Sequence, residues 1–172
     1  MTFVKLNQKF PSIQYSEGGE AVSYGGIISY LELTSINRNL MDVIPEKYQD
    51  NFSLSLMKIA GEVPPHTDSD VKTVINFYVN SGNYKTVFFD GDAPTYQIKN
   101  QTNGKMFLRD SLVENGSFIA FDDDAYCLNV EKPHAVDALD DSPTERVAIC
   151  ISTCDYDFEQ VCSMLNDTKY LN

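Results

Sequence analysis

The sequence predicts a mainly β protein, a sandwich or jelly roll of about eight short strands closed by one C-terminal helix. Three observations carry that expectation. Tyr, Phe, Val, Ile and Thr recur in short runs, the residue types that suit a pleated, half-buried surface. Gly, Asn, Asp and Pro interrupt those runs at short intervals, as turns between strands require. Only near the C-terminus does the apolar spacing change to threes and fours, the helical period.

In chain order, Gly18-Gly19 and Gly25-Gly26 mark turns in the N-terminal part, and "IISYLEL" (Ile27 to Leu33) reads as a strand. "NRNLMDVIPEKYQ" holds a short helix before Pro45. From Asn51 the strands are clearer: "NFSLSLMKIA", then "KTVINFYVN", "KTVFFD", "PTYQIK", "KMFLRD", "GSFIAFD" and "ERVAICIST". Between the first two, "GEVPP" stiffens the chain, because a residue before proline is pushed towards extended geometry. In "DYDFEQVCSMLND" the apolar residues Phe158, Val161, Cys162 and Leu165 define the helix, with Asp155 or Asp157 as its cap. The organisation expected is a single domain over residues 1–172: a lead-in at 1–50, a core at about 51–154 and the C-terminal helix at 155–172.

The chain carries 25 acidic and 13 basic residues, a formal net charge of −12. Most of such a surface repels phosphate, so general nucleic-acid binding is not expected. No apolar run follows "MTFVKLNQKF" and no stretch is long enough to span a bilayer, so a cytoplasmic location and no membrane partner are expected. The four cysteines, Cys127, Cys150, Cys154 and Cys162, form no CxxC pair and no histidine follows the last three. They read as reduced thiols rather than a zinc site.

The two histidines of the chain are the informative residues. His66 and Asp68 in "VPPHTDSD" stand at i and i+2, on one face if the stretch is extended. The second histidine, His134, lies in "EKPHAVD", again after a proline. Two imidazoles and one carboxylate make a facial triad that leaves coordination positions open for small molecules. Arg146 heads the strand "RVAICIST", where Ala148, Cys150 and Ser152 share its face and Val147, Ile149 and Ile151 take the other. A planar guanidinium in such a place suits a carboxylate.

"PPHTD", "TVINFYVN", "TVFFD", "NGSFIAFD", "KPHAV" and "ERVAICI" together resemble, in that order, the core of the Fe(II)/2-oxoglutarate-dependent dioxygenases, whose pattern is HxD…H…R. The likeness runs from about Leu56 to Thr153 and is nearest in flavour to the small prolyl-4-hydroxylase-like and aspartyl/asparaginyl-hydroxylase-like enzymes, phage-type homologues included. It implies a double-stranded β-helix, a form of jelly roll. It implies Fe(II) on His66, Asp68 and His134, and 2-oxoglutarate held at its distal carboxylate by Arg146. Tyr78 of "YVN" would take the place of a tyrosine that bonds the same carboxylate, with Asn76 on its face lining the pocket. The implied reaction consumes dioxygen, releases succinate and CO2 and hydroxylates a C–H bond. Ala148 departs from members with serine two residues after the arginine, and "SGNYKTVFF" lacks the glycine pair many members carry.

The substrate expected is a peptidyl side chain or an amino-acid-like small molecule, gripped by the lead-in and by the loops at 90–94, at 99–105 and before His134. The acidic run Asp122 to Asp124 is either a solvated loop or an attractor of cations. Two other readings stand beside the oxygenase. One is a cupin-like metal protein, which has no need of an arginine at the head of the last core strand. The other is a non-catalytic jelly-roll binding or virion-associated module with a vestigial site.

Overall fold

The computed structural model describes residues 1–68, 70–91, the strand Thr95–Tyr96, and 104–171. The strands are β1 (Phe3–Lys5), β2 (Tyr15–Tyr24), β3 (Ile28–Ile36), β4 (Ser53–Ile59), β5 (Val63–His66), β6 (Thr73–Asn80) and β7 (Tyr84–Asp90). They continue as β8 (Thr95–Tyr96), β9 (Met106–Phe107), β10 (Val113–Ile119), β11 (Ala125–Asn129), β12 (His134–Ala138) and β13 (Arg146–Thr153). One helix, α1 (Phe158–Asp167), follows. Thr95 and Tyr96 fall in the run "PTYQIK" expected as a strand; the remainder of that run and most of the 99–105 turn lie outside the described residues.

Two antiparallel sheets face each other. One has the order β1-β11-β6-β13-β4-β3-β2, the other β10-β7-β12-β5-β9-β8. At their centre, β4-β13-β6-β11 lies in one sheet and β10-β7-β12-β5 in the other. Every neighbouring pair of those eight is antiparallel and consecutive strands β4 and β5, β6 and β7, and β12 and β13 alternate between sheets. That winding is a jelly roll, the double-stranded β-helix. The other five strands extend its edges.

Alternation sorts β13 as expected. Val147, Ile149 and Ile151 enter the outer core with Phe158, Val161 and Leu165 of α1, whereas Ala148 and Cys150 face between the sheets. Asp157 caps α1: its carboxylate accepts from the Gln160 amide at 2.9 Å, and the Gln160 side chain accepts from the Asp157 amide at 3.0 Å. This reciprocal box satisfies two amides that a helix start otherwise leaves open.

The N-terminal expectations are met in altered form. Gly25 and Gly26, at φ 60° and 68°, are the central residues of a tight turn closed by the Ile27 amide on the Tyr24 carbonyl at 3.1 Å, within the three-residue connection from β2 to β3, where positive φ favours glycine. Gly18-Gly19, however, is no strand-ending turn. The pair lies inside the ten-residue β2, where the register with β3 shifts between Gly18 and Val22, so its glycines serve a bulge. The short helix before Pro45 is a 3-10 turn at Leu40–Val43, and a second follows the proline at Glu46–Asn51.

Candidate metal centre

"VPPH" forms β5, and its prolines explain the local shape. Val63 pairs with Val136 and His66 with His134, so β5 spends one more residue than β12 between these pairs. Pro64 and Pro65 have no amide to give a ladder, and a bulge is where a strand tolerates them. The bulge ends on His66, directly opposite His134, so both imidazoles project from neighbouring strands into the space between the sheets. The backbone just beyond is fixed: the Thr67 amide donates to the Lys105 carbonyl at 2.9 Å and the Asp68 amide to the Val130 carbonyl at 3.1 Å.

His66, Asp68 and His134 each present a donor atom, and the three atoms lie within 4.8 Å of one another. Asp68 Oδ1 is 3.4 Å from His66 Nε2 and 3.8 Å from His134 Nε2. Each ring is anchored through its other nitrogen: His66 Nδ1 bonds the Pro64 carbonyl and His134 Nδ1 the Lys132 carbonyl, both at 2.9 Å. A carbonyl only accepts, so each Nδ1 carries its hydrogen and a neutral ring keeps the Nε2 lone pair free for a metal. This backbone anchoring is the usual support of a metal-bound histidine.

The electrostatics of His134 favour a neutral ring. Burial, helped by the neighbouring His66, depresses the His134 imidazole to about 4. Burial raises the Asp68 carboxyl, and in the metal-free site a proton on His66 Nε2 bonding it, with the charge His134 carries when protonated, outweighs burial and holds the group below the usual carboxylate range; a metal ion would take the place of that proton. The set is a neutral imidazole at His134 and a carboxylate at Asp68, with one face committed and room beyond it. These donors suit a first-row metal such as Fe(II).

The room beyond is a cavity of about 350 Å³ between the sheets, lined by the three residues above together with Asn76, Tyr78 and Arg146. Arg146 is 1% exposed. It donates from Nε to the Ser81 carbonyl at 3.0 Å, from one terminal nitrogen to Thr86 Oγ1 at 3.0 Å and from the other to the Tyr84 carbonyl at 2.9 Å. Its guanidinium lies 5.2 Å from the Tyr78 ring centre and 5.3 Å from that of Tyr84. Burial lowers its pKa, and the two tyrosines work against that shift. Among the described residues no carboxylate forms an ion pair with it. A guanidinium has five N–H donors, and those bonds use three.

Beside it, Tyr78 Oη and Asn76 Oδ1 are buried with no hydrogen-bond partner of good geometry. Buried polar atoms are normally paired; Asn76 and Thr86 are within reach of the Tyr78 hydroxyl, and this corner keeps polar capacity beside the Arg146 cation. Tyr78 stands beside Ala148 and Asn76 beside Cys150 across β6 and β13.

All six residues singled out in the sequence meet at this one cavity. Thr86 and Tyr84 were not singled out, although Thr86 alternates into the interior of "KTVFF" and bonds Arg146 directly. The acidic run takes a structural part instead. Asp124 is buried and pairs with Lys5 at 2.9 Å and Lys9 at 2.5 Å, while Asp122 accepts from Ser81.

No protein-family model matches the sequence, and no curated protein matches it. Among solved structures, a hydroquinone 1,2-dioxygenase, PnpCD, in complex with Cd2+ and 4-hydroxybenzonitrile is 13% identical over 60% of this chain and 58% of its own, at a TM-score of 0.40. An L-ribose isomerase of Cellulomonas parahominis is 20% identical over 73% of this chain and 60% of its own, at 0.38. E. coli ycfD is 12% identical over 94% of this chain and 43% of its own, at 0.42. The chain spans less than two thirds of the length of each. The architecture therefore stands on this chain's own strand order: a jelly roll with a His-Asp-His group able to hold a metal.

Proposed function

We propose that the protein is an Fe(II)- and 2-oxoglutarate-dependent oxygenase that hydroxylates a peptidyl side chain or an amino-acid-like molecule. The observation that carries this reading is the buried Arg146, uncompensated by any carboxylate of the described chain and sharing a cavity with the metal-ligand set. A buried charge without a partner is costly. A dianionic co-substrate that chelates the metal at one end and meets Arg146 at the other resolves that cost.

In this reading His66, Asp68 and His134 hold the metal by one face. Bound Fe(II) supplies dioxygen activation coupled to decarboxylation of 2-oxoglutarate to succinate and CO2. Arg146 orients the distal carboxylate with its remaining donors, and the Tyr78 hydroxyl adds one more. Burial raises the Tyr78 phenol against the pull of Arg146, so the hydroxyl keeps its proton and donates. Val63, Val130 and Val136 line the same cavity and keep water away, which strengthens every polar contact inside.

A second reading, a cupin-like metal protein without 2-oxoglutarate, is favoured by one specific fact. Arg146 already bonds Ser81, Tyr84 and Thr86 and packs between two tyrosines, contacts that serve the fold whatever else binds. Calorimetry on the Zn(II)-loaded protein separates the two. The oxygenase reading expects 2-oxoglutarate to bind and Arg146→Lys, which keeps the charge but loses the fork, to weaken it by about tenfold or more. Metal binding should be unchanged. No heat with 2-oxoglutarate, or equal affinity in the variant, would leave the cupin-like reading.

A further inference from the structure

The cavity does not end at the metal. Its lining continues onto the β2–β3 hairpin through Val22, Tyr24, Ile28 and Tyr30. Strand register measures how far. Across the large sheet one row runs Val22, Tyr30, Met57, Ala148, Tyr78, and the next runs Tyr24, Ile28, Ile59, Arg146. Tyr30 is thus three strands from Tyr78, and Tyr24 three strands from Arg146. At about 4.8 Å per strand that is about 14 Å. A ligand clamped between the metal and the Arg146 corner leaves this flank open to a second molecule.

The flank has a definite chemistry. Val22, Ile28, Met57 and Ile59 are apolar, and Tyr24 and Tyr30 meet edge to face at 6.1 Å between ring centres. Among the described lining residues the only formal charges are Asp68 and Arg146, both already assigned to the site. Tyr30 Oη has no hydrogen-bond partner among the described residues. A phenol keeps its proton at neutral pH, so Tyr30 offers an O–H donor to this flank. Val22, at 55% exposed, leads out to solvent.

We propose that the hairpin flank of this cavity is the primary-substrate subsite, and that it takes an uncharged, apolar or aromatic group, with Tyr30 as its specificity-determining residue. The proposal rests on the oxygenase reading only for the word substrate; the subsite itself is defined by its lining. An ionised side chain entering here would be desolvated without a partner. A phenyl or branched aliphatic group would instead bury apolar area against Tyr24, Tyr30 and Met57, and Tyr30 would offer one hydrogen bond to a carbonyl.

Ligand-observed NMR tests this with two probes that share a backbone, N-acetyl-phenylalanine methylamide and N-acetyl-lysine methylamide, on the Zn(II)-loaded full chain. The phenylalanine probe should bind and the lysine probe should not. Tyr30→Asp should weaken the phenylalanine probe by about tenfold or more. Val22→Asp, at an exposed position that the fold tolerates, should weaken it in the same sense. Affinity for 2-oxoglutarate, measured by calorimetry on the same samples, should not change. Absence of phenylalanine-probe binding, equal binding of the lysine probe, or indifference to Val22→Asp would overturn the subsite. If 2-oxoglutarate failed to bind while the phenylalanine probe bound and responded to the variants, the subsite would stand and the co-substrate assignment would fall.

Discussion

The two histidines do different amounts of work for the fold and for the metal. Each imidazole makes one backbone bond through Nδ1 and offers Nε2 to the same point. Removing one ring from the metal-free protein loses a bond worth about 1–2 kcal/mol. Removing one of three ligands should lower metal affinity by more than about a hundredfold. His66→Ala and His134→Ala are thus expected to fold, with a modest fall in melting temperature, and to bind Fe(II) or Zn(II) too weakly to detect by calorimetry at micromolar protein. Full metal affinity in His134→Ala would remove it from the ligand set. These two residues were legible because the chain has no other histidine and because prolines stand before both. Thr86 and Tyr84 were not, since a threonine and a tyrosine inside apolar strands look the same whether they pack or support a guanidinium. Only the fold of β7 against Arg146 distinguishes them.

At the scale of elements, the N-terminal strand is held by charge as well as by its ladder. β1 pairs with β11, and Lys5 and Lys9 converge on Asp124, which also accepts from the Phe121 amide at 3.0 Å. Burial would raise the Asp124 carboxyl, but Lys9, Lys5 and that amide outweigh it and hold it below the usual range. A carboxylate whose folded pKa is depressed adds stability above its unfolded value of about 3.9, and the gain is lost as pH falls through the lower folded value. Because both lysines are half exposed and can return to water, Asp124→Asn should cost about 1–2 kcal/mol near pH 7. Chemical denaturation across pH should show that gap steady above about pH 5 and closing below about pH 4. A gap that stayed constant to pH 3 would mean the ion pairs add nothing. The sequence did not reveal this role. Asp122 to Asp124 read as a solvated or cation-attracting loop, because nothing local shows that Lys5 and Lys9, more than a hundred residues earlier, lie against it. The core strands were legible for the opposite reason: alternation is local, so "TVINFYVN" and "RVAICIST" declare their faces without knowledge of the fold. The glycine pair at 18–19 misled because a bulge and a turn demand the same backbone freedom.

For the whole molecule, the strand order places the two halves of the candidate site in opposite sheets. His66 and His134 come from β5 and β12, while Asn76, Tyr78 and Arg146 come from β6 and β13. The space between is bounded by apolar side chains and carries one buried cation. An acidic surface, net −12 over the chain, surrounds it. That contrast makes the Arg146 corner the place where an anion gains most. In the proposed reading, this corner and the metal ligands hold one co-substrate between them. The most direct measurement is an anaerobic visible titration: Fe(II) is added to the metal-free protein, then 2-oxoglutarate, with Arg146→Lys in parallel. A weak charge-transfer band that needs both additions, and that requires far more 2-oxoglutarate in the variant, is the expected result. Iron binding with no band at any 2-oxoglutarate concentration would mean that the cavity does not hold 2-oxoglutarate on the metal.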